Sequence, residues 1–124
     1  MTATVGAAAS RIFEVLDIDT AASLGSGSLP VLGTPRLLAW LEAATVSAVE
    51  PMLEPGQTTV GIRVELDHLA PSPLAVHVTV RVTLVEVVDR RLGFDVSATN
   101  ADGIVAARGR IVRAIVDRER FLAR

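Results

Sequence analysis

Three ionisable side chains, Glu42, His68 and Arg113, stand where the surrounding pattern is apolar, and Thr34 opens the helix that carries the first of them. Projected at about 100° per residue, that helix puts Leu38, Ala39, Leu41, Thr45, Val46 and Val49 in one arc, with Glu42 near its middle. Arg36, Ala43, Ser47 and Glu50 take the opposite side. A core-facing carboxylate needs compensation. Either it serves a polar site, or the helix is turned so that Glu42 lies at its edge or pairs with an arginine. In VGIRVELDH, alternation places His68 on the face of Val60, Ile62, Val64 and Leu66, opposite Arg63, Glu65 and Asp67. A single histidine in such a place is more often a hydrogen-bonded core residue than a catalyst. Arg113 shares a face with Val105, Ala107, Gly109, Ile111 and Ile115. It must find an anion, whether Glu42, another carboxylate or a ligand group, or else snorkel to water from the rim. His77, on a face with Thr79, Arg81 and Thr83, is expected in solvent.

Each of the three groups would need its own compensation unless all of them share one site, so convergence is the economical expectation. Thr34 adds a hydroxyl and a helix N-terminus, whose free N–H groups and positive dipole end favour a developing oxyanion. These parts suit acyl transfer. The carboxylate would act as nucleophile or general base and the imidazole would move protons.

The elements that must position these groups follow from local signals. Thr34-Pro35 is a strong helix start, with threonine as cap and proline where no donor is missed. The helix is predicted to run to about Glu50, ended by Pro51 and the Glu54-Pro55-Gly56 turn. Arg11 to Asp19 alternates weakly and is expected as a first strand, and the Gly/Ser-rich stretch Ala21 to Leu29 as a mobile loop. Four strands are predicted over Thr58–Leu69, Leu74–Val88, Arg91–Asn100 and Ile104–Val116, forming an antiparallel meander. Val88 to Arg91 and Asn100 to Gly103 are short enough for hairpin turns, and Pro71 and Pro73 separate the first two strands. One helix covers one face of such an α+β sheet, which leaves apolar surface for a second copy and makes a homodimer the expectation.

Composition narrows the chemistry further. The 124 residues suit one domain spanning 1–124. There is no cysteine, which excludes disulfides, a thiolate nucleophile and a Cys-ligated zinc. Twelve arginines balance fourteen acidic residues without a basic run, so no nucleic-acid partner is expected. No uncharged stretch reaches the roughly 18 to 20 residues that span a bilayer, and MTATVGAAAS carries no basic region ahead of an apolar run, so the chain is expected to be soluble and cytoplasmic.

The segments VLGTPRLLAWLEAATVSAVEPML, EPGQTTVGIRVELDHLAPSP and VDRRLGFDVSA, in this order, resemble the fluoroacetyl-CoA thioesterase family of the hotdog superfamily over about Leu29 to Phe121. The resemblance implies an α+β hotdog fold, a curved antiparallel sheet wrapped around one long helix, paired as a dimer with sites near the subunit interface. It also implies hydrolysis of an acyl-CoA to free acid and CoA, with no metal or other cofactor. By position, Thr34, Glu42 and His68 match the family's catalytic residues. Gly61 matches a glycine whose backbone approaches the substrate, and Arg113 an arginine near the acyl group. Two departures stand out: the short SLGSGSLP, with Ser28 where the specialised member has a phenylalanine gate, and Pro35 where it has glycine. The first removes the basis for fluoroacetyl specificity, and the second removes a backbone donor. Two other expectations share the fold. One is a non-catalytic acyl-CoA or small-acid binder. The other is a hydratase, which would need an aspartate and a histidine that this helix lacks.

Overall fold

Alternating valines and leucines build the centre of the sheet. Val78, Val80, Val82 and Leu84 stand opposite Asn100, Ala98, Val96 and Phe94 in antiparallel register, and all eight are buried. A period of two puts such residues on one face, where β-branched and aromatic side chains pack well. The structure, a computed structural model, describes residues 3–123. Its elements are β1 (Ala8–Glu14), α1 (Ala21–Leu24), α2 (Thr34–Val49), β2 (Gln57–His68), β3 (His77–Val88), β4 (Arg91–Asn100), β5 (Val105–Asp117) and α3 (Arg118–Leu122). Among the described residues, no helix is long and apolar enough to cross a membrane.

Among the described residues five strands lie in the order β1-β3-β4-β5-β2, every pair antiparallel. The predicted meander therefore holds for β3, β4 and β5 only. β2 crosses to the far edge beside β5, because β1 occupies the other side of β3 and the proline-broken segment 69–76 makes no hairpin. Both predicted hairpin turns are present, the second closed by Gly103 N–H to Asn100 O at 2.8 Å with Gly103 at φ 91°. The first strand ends earlier than expected. Its predicted tail instead coils into a 3₁₀ turn at Asp17–Asp19, fastened by Leu16 N–H to Asp19 Oδ2 at 2.9 Å. The stretch expected as a mobile loop opens with α1, whose start is capped when Thr20 Oγ1 accepts from Ser23 N–H.

α2 packs against the inner face of the sheet through Leu37, Trp40, Leu41, Ala44, Thr45, Ala48 and Val49. That stripe is about a quarter turn away from the predicted arc. Ala39 is exposed and Leu38 and Val46 are half-buried. The helix is apolar nearly all round, so its period alone could not choose the buried side. Trp40 stacks on Phe13 of β1, with centroids 4.5 Å apart and planes 2° from parallel. Rotation leaves Glu42 at the edge of the packed stripe.

Candidate active site

Gly33, with extended torsions of −76° and 140°, is the N-cap of α2, and Thr34 is the first helical residue. The expected threonine cap is thus displaced by one position. A Cβ at residue 33 would lie 3.0 Å from Leu24 and 3.1 Å from the Ala21 backbone, a crowded place that suits glycine. Because it is not capping, the Thr34 hydroxyl is free, and its Oγ1 lies 2.7 Å from His68 Nδ1 at the end of β2. Among the described residues the Thr34 N–H meets no protein acceptor, and Pro35 has no N–H to offer. A donor at a helix N-terminus therefore stands beside a hydroxyl–imidazole pair.

The two ends of the imidazole differ. Nδ1 meets Thr34, while Nε2 is buried without a hydrogen-bond partner among the described residues. If the hydroxyl donates to Nδ1, Nε2 carries the proton; if Nδ1–H donates to the hydroxyl, Nε2 is a free base. Burial pushes the His68 pKa down from its ordinary value, favouring the neutral ring that either role requires. The pair opens on a cleft of about 400 Å³ lined by Ser26, Gly27, Ser28 and Leu29 on one side and by Leu69 and Ala70 on the other. His77, as expected, is exposed, 3.8 Å from Glu14.

Glu42 sits elsewhere. Its Oε2 accepts from Arg113 Nη1 at 3.2 Å, and its side chain keeps 37% of its exposure. Arg113 on β5 is buried, with Nε donating to Thr59 Oγ1 at 2.9 Å and Nη2 to Thr59 O at 3.0 Å. Its own burial lowers its pKa, and the neighbouring Glu42 opposes that shift. The expected anion for Arg113 is therefore Glu42, and the snorkelling alternative is overturned. A Cβ at Gly61, opposite Arg113 on β2, would meet Glu42 Oε2 at 2.7 Å, so the glycine leaves the room in which the carboxylate sits. Glu42 Oε1 accepts no hydrogen bond among the described residues.

The pairing of β2 with β5 slips between Gly61 and Arg63, where two steps on β2 match one on β5. Ile62 is the extra residue of a bulge. The apolar face predicted over Val60 to His68 is consequently split. Thr59 and Gly61 share the helix side with Arg113 before the bulge, and Val64, Leu66 and His68 regain it after the bulge. Thr59, absent from the sequence-based set, could have been found only from its spacing of two from Gly61.

The expected convergence holds by halves. Thr34 meets His68, and Glu42 meets Arg113 and Gly61, but no hydrogen bond joins the two groups within the chain. Thr34 and Glu42 lie eight residues apart on one helix, a rise of about 12 Å.

A long helix cupped by a curved antiparallel sheet, with a carboxylate on that helix and a polar group at its tip, defines a hotdog-fold protein of the thioesterase class. Solved structures bear this out. A single-residue mutant of the fluoroacetyl-CoA-specific thioesterase FlK matches with a TM-score of 0.91 at 29% identity, covering 99% of this chain and 95% of that one. A thioesterase superfamily member from Thermus thermophilus matches with a TM-score of 0.89 at 26% identity, over 97% of this chain and 88% of that one. In sequence, the chain is 34% identical to the fluoroacetyl-CoA thioesterase of Streptantibioticus cattleyicolor over 94 residues, 76% of this chain and 67% of that protein. The family description of the fluoroacetyl-CoA-specific thioesterase matches residues 15–119, and the chain belongs to that family of thioester hydrolases.

Proposed function

We propose that this chain hydrolyses a short or medium acyl-CoA to free acid and CoA, as a cytoplasmic homodimer in which each site draws on both copies. The observation that carries the reading is a half-exposed Glu42 carboxylate, fixed through Oε2 by Arg113 against Gly61, with Oε1 left open. Glu42 of one copy then faces the Thr34–His68 pair of the other. Support for pairing comes from β2, a sheet edge that exposes Ile62 and Val64, and from the apolar side of α2 where Ala39 is exposed and Leu38 and Val46 are only half-buried. Long apolar edges are normally covered.

In this scheme the thioester carbonyl oxygen lies at the Thr34 N–H, where the helix N-terminus stabilises the charge that develops on it. Glu42 either attacks the carbonyl carbon or takes a proton from the water that does. The C–S bond breaks, CoA leaves as the thiolate, and the proton that water gives up in the hydrolysis passes to that sulfur by way of Glu42 and the Thr34–His68 pair. When Glu42 attacks, water then opens the anhydride and regenerates the carboxylate. Arg113 keeps Glu42 in place, and its expected contact with the acyl group is made through that carboxylate. FlK, a relative of this chain, has been crystallised as a mutant with fluoroacetate and CoA. The Gly/Ser lining here suits acyl groups other than fluoroacetyl.

The test is thiol release from a panel of acyl-CoAs by wild type and Glu42→Ala. Turnover by wild type, lost in the variant, is expected. Saturable binding without turnover by either protein sinks the hydrolase reading and leaves a binder.

A further inference from the structure

Thr34 and His68 come from segments far apart in the chain, His68 on the last rung of β2 opposite Ala107 and Thr34 just after the isolated bridge of Leu32 to Thr20. β2 ends at His68, and the five residues after it include Pro71 and Pro73, which offer no N–H to a ladder. The stretch before Thr34 is likewise irregular. Backbone bonds hold each segment locally, Leu69 and Ala70 N–H to Ala106 O and Gly33 N–H to Asp19 O, and one buried polar pair outside the hydrolysis chemistry ties the two segments to each other. Ser72 Oγ donates to Asn100 Oδ1 at 2.5 Å, and Asn100 Nδ2 donates to Pro71 O at 3.0 Å. Ser72 is fully buried and Asn100 is 6% exposed at the end of β4. Ser72 O in turn accepts from Leu32 N–H at 2.9 Å, and Val31 bridges to Pro73.

A continuous path therefore runs from the end of β4, through Asn100 and Ser72, to Leu32, two residues before Thr34. The same amide grips Pro71, three residues after His68. The geometry points to Ser72 and Asn100 as positioning residues that set the 2.7 Å approach of Thr34 Oγ1 to His68 Nδ1. The amide satisfies both of its partners with one orientation, its oxygen accepting and its nitrogen donating. Burial makes that arrangement stiff, because an unpaired amide there is costly.

This inference rests on the proposed hydrolysis, and its test includes a readout that does not. In Ser72→Ala, kcat is expected to fall by about 10- to 100-fold with KM little changed, as for a misplaced catalytic group. Ser72→Thr, which keeps the hydroxyl, is expected to restore it. Nitrogen-15 NMR of His68 is expected to move from the pattern of one fixed tautomer in wild type towards an exchange average in Ser72→Ala, whether or not the protein turns over an acyl-CoA. Should Ser72→Ala fail to fold, Asn100→Ser is measured in the same way. Unchanged His68 signals in a folded variant, or a fall in kcat that only tracks the folded fraction, overturn the assignment.

Discussion

Replacing Gly61 by alanine tests the carboxylate without touching it. The new methyl carbon would lie 2.7 Å from Glu42 Oε2, about 0.7 Å inside ordinary contact, and 3.5 Å from Arg113 Nη1. Gly61 is not at a positive φ, so its backbone accepts alanine without strain. The obstacle is the tip of a side chain, and the carboxylate yields. Loss of glycine's freedom in the unfolded chain stabilises by about 0.4–1 kcal/mol, which offsets most of the weakened Arg113 bond. The melting temperature is therefore expected to move by only a few degrees. Activity should respond far more, because a carboxylate moved by much of an ångström is no longer aimed at the carbonyl: kcat/KM is expected to drop about 10- to 100-fold. Steady-state thiol release and thermal unfolding, run on the same preparations, measure the two effects. In a Glu42→Ala background the substitution should cost almost nothing further, since its target is gone. Full activity in Gly61→Ala, or an equal further loss in the Glu42→Ala background, would refute the placement of Glu42.

Three other expectations follow from the same contacts. His68 has a lowered folded pKa, so between that value and its unfolded pKa of about 6.5 the unfolded chain binds more protons. Stability should thus rise with pH through this window and fall as the pH drops below about 6.5; turnover should share an acid limb in the window, and His68→Gln should remove the histidine's part of the stability slope. Arg113→Lys cannot reproduce three directed N–H contacts and is expected to cost about 1–3 kcal/mol in urea unfolding, along with most of the activity. Val64→Lys, on the free edge of β2, should halve the mass seen in sedimentation and abolish turnover while leaving the chain folded. A monomeric variant with full activity would refute the shared site.

Much of this architecture was legible because local signals agreed with tertiary ones. Thr34-Pro35 opens the long helix within one residue of its cap, and the valine alternation of β3 and β4 matches their register. Glu42 and Arg113 were conspicuous as charges among apolar neighbours, and each proved to be the other's partner. What the pattern could not carry was phase. α2 is apolar on several sides, so only packing chose the stripe Leu37–Leu41–Ala44–Ala48. A bulge reverses parity with no change in composition, and Ile62 gave no sign of one. Strand order depends on which edge stays open after β1 has paired, a long-range competition invisible in any window. The Asn100–Ser72 pair was hidden because both residue types are at home in exposed turns.

The stacked pair on α2 and β1 has a practical side. Trp40 is the chain's one tryptophan, there is no tyrosine, and its indole is almost wholly buried against Phe13, two positions from Glu42. Near-ultraviolet emission from this protein therefore comes from a single place, where the long helix meets the first strand. Any slippage of that helix against the sheet alters the glow of one ring, so the molecule carries its own optical gauge of whether the carboxylate's platform is seated.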